Sequence, residues 1–296
     1  MVPGSAHVTV PTLRARKGGD PLVMVTAYDA PTARIADEAG VDVVLVGDSV
    51  AMVVLGYEDT LQVTVDDMAH HVAAVARARP RPLVVADLPW LSYHVSVEDA
   101  VRNAGALVRA GAQAVKLEGG RRRLPVVRAL LDAEIPVMGH LGLTPQSVHA
   151  MGGYRVQGQQ VDAAEVLLDD AVALADAGCF AIVLECVPRE VAAAITRSVP
   201  VPTIGIGAGP DCDGQVLVIH DLLGLEDRIA PKFVRRYGAL KADAVAAVAA
   251  FGADVRAGRF PSDEESYHLS ADAAAALDAA TGPAATFRDQ AGWRSA

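Results

Sequence analysis

Short apolar runs recur along the chain, and most of them stop at a polar or charged residue. They read VVLVGDS (43–49), LVVAD (Leu83–Asp87), AVKLE (Ala114–Glu118), PVMGH (136–140) and AIVLE (Ala181–Glu185), followed by TIGIGAG (203–209), which ends in glycines. Each has strand length and is nearly continuous in apolar residues, as expected of a strand buried on both faces. PLVMVTAYD (21–29) predicts a first strand and residues 216–220 an eighth. Helix grammar fills the gaps. Asp29 precedes Pro31 and a terminating Gly40, Thr64-x-x-Asp67 reads as a capping box, and Ser96-x-x-Asp99 and Asp162-x-x-Glu165 open further helices. A short helix is expected at 13–17 and a long one at 239–256. Eight strands alternating with helices predict an α/β fold, a parallel eight-stranded (β/α)8 TIM barrel. The competing open, doubly wound sheet lacks its dinucleotide fingerprint, because GIGAGP (205–210) has proline at the third glycine position.

AVKLE is the most informative run. Side chains alternate faces along a strand, so Val115 and Leu117 share one side while Ala114, Lys116 and Glu118 share the other. A lysine and a glutamate on one face of a buried strand are costly unless paired or used. The chain has only four lysines, at 17, 116, 232 and 241, and places one inside this strand.

Composition narrows the function classes. The 296 residues are 52% hydrophobic and 21% charged, with a net charge of −10, which argues against nucleic acid or an anionic membrane as partner. The one basic cluster, 121–123, reads as a solvated helix start. Three cysteines without CxxC spacing fit a reducing compartment, with Cys179 and Cys186 read as small core residues. No apolar stretch reaches the roughly 18 residues that span a bilayer, and no signal-like leader is present, so a cytoplasmic protein is expected. Residues 1–268 are expected to form one barrel domain. The Ala-rich segment 269–296 is expected to be an appendage or partly disordered tail.

In a barrel the carboxyl ends of the strands share one mouth. They would bring together Asp48, Ser49, Asp87, Lys116, Glu118, His140 and Glu185. Asp48, Asp87 and Glu118 are hard oxygen ligands without a zinc pattern, which suits Mg²⁺. Lys116 beside such a metal suits an anionic, oxygen-rich substrate such as a 2-oxo acid, and Glu185 is placed to act as a proton-abstracting base. The residues by themselves reach metal-assisted enolate chemistry on a small acid.

Longer blocks carry a resemblance. TAYDAPTARIADEAGVD (26–42), GDSVAMVVLGYEDTLQVT (47–64), VVADLPWLSY (84–93), AVKLEGG (114–120), PVMGHLGLTPQSVHAMGGYRVQG (136–158), LECVP (184–188) and PTIGIGAGPDCDGQVLVIHDLLG (202–224) resemble the 3-methyl-2-oxobutanoate (ketopantoate) hydroxymethyltransferase family. The resemblance implies a barrel of the phosphoenolpyruvate/pyruvate type. It implies transfer of a one-carbon unit from 5,10-methylenetetrahydrofolate to 3-methyl-2-oxobutanoate, giving 2-dehydropantoate in pantothenate biosynthesis. It further implies that Asp48 and Asp87 hold Mg²⁺, joined by Glu118 directly or through water. Asp48, Ser49, Asp87 and Lys116 would contact the oxo acid, Glu185 would remove the C3 proton, and His140 would line the pocket. A homo-oligomer, a decamer built as a pentamer of dimers, is implied as well. A folate-independent Mg²⁺ aldolase or lyase of the same barrel type is the alternative, and the chain lacks the cysteine-bearing loop of such enzymes. Two departures, Val50-Ala51 and Trp90-Leu91, imply an altered pocket volume. The loops at 50–64 and 141–160 are candidates to cover the pocket.

Overall fold

The computed structural model describes residues 7–226, 228 and 231–281. Eight parallel strands close in chain order into a barrel: β1 (Leu22–Thr26), β2 (Val43–Val46), β3 (Leu83–Asp87), β4 (Ala114–Glu118), β5 (Val137–Gly142), β6 (Ala181–Glu185), β7 (Thr203–Ile206) and β8 (Gly214–Leu217), which pairs back with β1. The expected TIM barrel is therefore the observed fold. Strand parity divides the interior into two cores. Val44, Val46, Val84, Ala86, Val115, Leu117, Ile182 and Leu184 belong to an outer layer together with helix residues such as Met68, Leu107 and Leu130. Leu22, Met24, Val43, Leu45, Leu83, Val85, Ala114, Met138, Ala181, Val183, Ile204 and Val216 fill the barrel itself.

Helix α1 (Val10–Arg14) sends the buried Leu13 into that inner cluster, a burial that contributes about 2 kcal/mol. The sequence predicted this helix at 13–17. It starts earlier because Thr9 and Thr12 form a capping box, with Pro11 in the first turn. Between the strands lie α2 (Ala30–Glu38), α3 (Val50–Val53), α4 (Val65–Arg77), α5 (Val97–Ala110), α6 (Leu124–Asp132), α7 (Val148–Met151), α8 (Val161–Ala177), α9 (Arg189–Ser198) and α10 (Ile219–Leu223). Asp29 and Thr64 cap α2 and α4 with both reciprocal bonds, and the Ser96 hydroxyl accepts the Asp99 N–H at the start of α5. The helix expected to start at Asp162 and run to Gly178 forms as α8, one residue early. Helix α8 starts behind Gln160 without a side-chain cap, and the Asp162 carboxylate accepts the neighbouring Ala163 N–H instead.

The eighth strand also differs from its expectation at 216–220. It begins at Gly214, where an added Cβ would lie 2.6 Å from Leu22 Cβ. A glycine that reads as loop in sequence is thus the residue that lets the last strand close on the first. The chain then turns into α10, whose Ile219 N–H donates to the Thr26 hydroxyl at 3.0 Å.

The chain divides into two compact units between Leu240 and Lys241. The first contains the whole barrel. The second contains α11 (Leu240–Arg256), apart from its first residue, and α12 (Ala271–Thr281). The tail expected at 269–296 is helical over Ala271–Thr281, and residues 282–296 lie outside the described residues.

Candidate active site

Each inward row of side chains turns from apolar to polar on its way to the mouth. On β4 the row is Ala114, Lys116, Glu118; on β3 it is Leu83, Val85, Asp87; on β6 it is Ala181, Val183, Glu185. Register sets who meets whom. Asp87 pairs with Lys116, and Glu118 with His140. Asp48 lies two residues beyond β2, at the start of the turn that leads into α3.

The expected residues converge. Lys116 Nζ is 2.9 Å from Asp87 Oδ1, and the Asp48 N–H donates to Asp87 Oδ2 at 3.1 Å. His140 Nδ1 lies 3.2 Å from Lys116 Nζ and 3.5 Å from Glu118 Oε1, while its Nε2 lies 3.2 Å from Glu185 Oε2. Ser49 Oγ meets the Tyr28 hydroxyl at 2.9 Å. Gly47 makes the crowding possible, since a Cβ there would come within 2.9 Å of Ser49 Oγ and 3.4 Å of Asp87 Oδ2.

Asp48, Asp87, Lys116, Glu118 and His140 are each no more than 5% exposed. Burial works against the Lys116 ammonium, but Asp87, Glu118 and Asp48 outweigh it and raise its pKa. Burial pushes the Asp48 carboxyl well above the usual carboxylate range, and the charges of Asp87 and Glu118 push it further. For His140, burial and Lys116 disfavour the imidazolium. Glu118 and Glu185 prevail and carry its pKa up to about 9. In that state the approach of Lys116 to the ring is a like-charge contact held by the surrounding carboxylates.

Four carboxylates thus face one lysine and one histidine. Among the described residues no group of three or more His, Cys, Asp or Glu side chains is arranged to hold a metal ion. The mouth instead offers the Asp48–Asp87 pair, carrying more negative charge than its cations offset. Hard oxygen donors in that state fit a divalent cation that keeps several positions for water and substrate.

A cavity of about 690 Å³ opens over these groups, lined also by Met52, Tyr57, Tyr154 and Phe233. The 50–64 and 141–160 segments both contribute to its wall, and the Tyr154 hydroxyl points to Met52 Sδ at 4.0 Å. Val50 and Ala51 are buried away from it, and Trp90 and Leu91 do not line it, so the two sequence departures leave its lining untouched. Cys186, expected in the core, is half-buried and lines the cavity, whereas Cys179 is fully buried. A second cavity, of about 610 Å³, lies at the opposite end of the barrel near Pro136 and Phe180 and gathers no comparable polar groups.

Sequence reasoning missed Gln146 and Tyr93. Gln146 Nε2 donates to Asp48 Oδ2 at 2.8 Å, its backbone N–H donates to Glu118 Oε2 at 3.0 Å, and its Oε1 accepts from the Tyr93 hydroxyl at 2.7 Å. The only signal for Gln146 was its place in the long loop after β5. The basic run also has a structural use. Arg121 pairs with Asp170 at 3.0 Å, and the Arg123 guanidinium sits 5.3 Å from the centre of the Tyr93 ring.

The model of the ketopantoate hydroxymethyltransferase family matches residues 7–263. A curated relative from Moorella thermoacetica, 3-methyl-2-oxobutanoate hydroxymethyltransferase, is 59% identical over 264 residues, covering 88% of this chain and 98% of the relative. A relative of the same name from Syntrophobacter fumaroxidans is 56% identical, covering 89% and 94%. Among solved structures, a phosphonopyruvate hydrolase complex with oxalate and Mg²⁺ aligns with a TM-score of 0.58 at 15% identity, over 91% of this chain and 98% of that one. A 2,3-dimethylmalate lyase, a member of the PEP mutase/isocitrate lyase superfamily, aligns with a TM-score of 0.55 at 19% identity, over 92% and 99%. At such identities the structural likeness concerns the fold alone.

Proposed function

The chain belongs to the ketopantoate hydroxymethyltransferase family, and on that premise we propose how its barrel mouth transfers a hydroxymethyl group to 3-methyl-2-oxobutanoate. The observation that carries the reading is one constellation under one cavity, the buried Asp48, Asp87, Lys116, Glu118 and His140 with the partly exposed Glu185 beside them.

Asp48 and Asp87 would hold Mg²⁺, and Glu118, whose Oε2 accepts the Gln146 N–H, would join them directly or through water. When bound, the dication stabilises negative charge developing on the carbonyl oxygen of the oxo acid. Lys116 holds the substrate carboxylate, and the Asp48–Ser49 turn and Asp87 line the same subsite. Glu185 removes the C3 proton. It is the most exposed of the four carboxylates, with 17% of its side chain open, so it can exchange that proton with solvent or co-substrate. His140 orients Glu185 through Nε2 and borders the space that the new hydroxymethyl group takes. The donor is 5,10-methylenetetrahydrofolate, whose aromatic rings suit the cavity wall of Tyr57, Tyr154 and Phe233. The tyrosines of the two flanking loops screen the reacting carbon from water. The protein works in the cytoplasm as a homo-oligomer, a decamer of five dimers. No described helix is long and apolar enough to cross a membrane.

The test follows the C3 proton of 3-methyl-2-oxobutanoate by NMR in D₂O with Mg²⁺, before and after adding methylenetetrahydrofolate. Exchange without the folate and hydroxymethylated product with it are expected. No product in the presence of folate would sink the reading.

A further inference from the structure

One glutamine holds two of the buried carboxylates, Asp48 through its side-chain amide and Glu118 through its backbone N–H, and a tyrosine outside the cavity holds that amide in turn. Gln146 is 5% exposed and makes four hydrogen bonds. Three join it to Asp48, Glu118 and Tyr93, and the fourth runs from Nε2 to the Leu88 carbonyl at 2.9 Å. The two ends of an amide have nearly the same shape, so the neighbours decide which way it faces. Reversal would aim the amide oxygen at Asp48 Oδ2 and Leu88 O, both acceptors. It would also aim the NH₂ group at the Tyr93 hydroxyl. The Tyr93 hydroxyl accepts the Glu118 N–H at 3.2 Å and donates to Gln146 Oε1 at 2.7 Å, a shorter contact than the 3.5 Å one to the Glu118 carbonyl. A polarised chain therefore runs from the β4 backbone through Tyr93 and Gln146 to the Asp48 carboxylate. Tyr93 is itself clamped. It is 1% exposed, stacks on His94 with ring centres 4.2 Å apart, and faces the Arg123 guanidinium.

We infer that Gln146 is a positioning residue for the reaction, which orients Asp48 and Glu118 through its amide and backbone N–H, and that Tyr93 holds that amide in place through its oxygen. With Oδ2 held by the amide, Oδ1 is the Asp48 oxygen left for a cation. The inference rests on the reading that Asp48 is a Mg²⁺ ligand. Neither Gln146 nor Tyr93 lines the cavity, so both act through the carboxylates.

The test is Mg²⁺ titration by calorimetry on the full-length wild type, Tyr93→Phe, Gln146→Leu and the double variant. Tyr93→Phe is expected to bind Mg²⁺ about tenfold more weakly, although it touches no metal-facing oxygen, and Gln146→Leu at least as weakly. The double variant is expected to bind no more weakly than Gln146→Leu alone, because Tyr93 acts through the amide. Wild-type affinity in Tyr93→Phe, which keeps the aromatic ring and its packing, overturns the inference even where Gln146→Leu folds poorly. So do additive losses in the double variant. A wild type that binds no Mg²⁺ overturns the metal reading and this inference together, whereas equal binding by all four proteins overturns the inference alone.

Discussion

Lys116 Nζ stands 2.9 Å from Asp87 Oδ1 across the β3–β4 seam, where the two residues are register partners, and both side chains are at most 5% exposed. Lysine is the only side chain of this strand that can answer the carboxylates around it. Lys116→Met leaves Asp87 buried beside Asp48 and Glu118 without its cation. A loss of about 3 kcal/mol in metal-free urea unfolding is expected, together with loss of oxo-acid binding.

Asp48 carries the opposite expectation. Its carboxyl is held above the ordinary range by burial and by Asp87 and Glu118, so its charge opposes folding when no cation is bound. Mg²⁺ at a hundredfold its dissociation constant is expected to add about 2.7 kcal/mol to the wild type. Asp48→Asn is expected to lose that response while being more stable than the wild type in chelator. Thermal unfolding with and without Mg²⁺ reads both effects.

Glu185→Gln keeps the shape of the proposed base and removes its basicity. The variant is expected to bind 3-methyl-2-oxobutanoate but to exchange the C3 proton at least about a hundredfold more slowly. Exchange at the wild-type rate assigns the proton transfer to another group.

Gly142 positions Glu185 from behind. It pairs with Glu185 in the β5–β6 register, and its φ of +93° is one that side-chain-bearing residues avoid. A Cβ there would also collide with the Glu185 carbonyl and lie 2.7 Å from Val187 Cγ1. Gly142→Ala is expected to cost about 1–3 kcal/mol and to lower kcat through displacement of Glu185. Denaturant unfolding and steady-state kinetics measure the two effects.

At the other end of the barrel, Asp213 ties the chain start to the closing seam. It accepts from Lys17 Nζ at 2.8 Å, from the Gly18 N–H at 2.9 Å and from the Thr203 N–H at 2.8 Å. Burial alone would raise its pKa, but Lys17 and the N–H groups of Thr203 and Gly18 outweigh burial and lower it. Its contribution is therefore complete above the unfolded value of about 3.9 and is lost as pH falls through the lower folded value. Asp213→Asn is expected to lose about 1–3 kcal/mol at pH 7. The gap from wild type should narrow below about pH 4, as followed by melting temperature against pH. A gap that is constant down to pH 3 shows that the charge of Asp213 is not what matters.

The barrel was legible because strand alternation is a local property. A buried parallel strand needs apolar residues on both faces, so a Lys, Asp, Glu or His at its carboxyl end stands out against the run before it. That is why Asp87, Lys116, Glu118, His140 and Glu185 were visible in the chain, and why their gathering at one mouth followed once eight such runs were counted. The eighth strand was misplaced because its first residue, Gly214, has no side chain to signal a strand.

Gln146 and Tyr93 had no such signal. They are neutral, they lie in connecting segments, and no period singles them out. Gln146 reaches Asp48 across 98 positions of chain only because closure of the barrel brings the ends of β2 and β5 to the same mouth. Its amide oxygen is then held by Tyr93, and the Tyr93 hydroxyl by a β4 N–H. Local pattern chose the strands and the charged residues at their ends. The hydrogen bonds that orient those charges arise from distances that only the closed barrel sets.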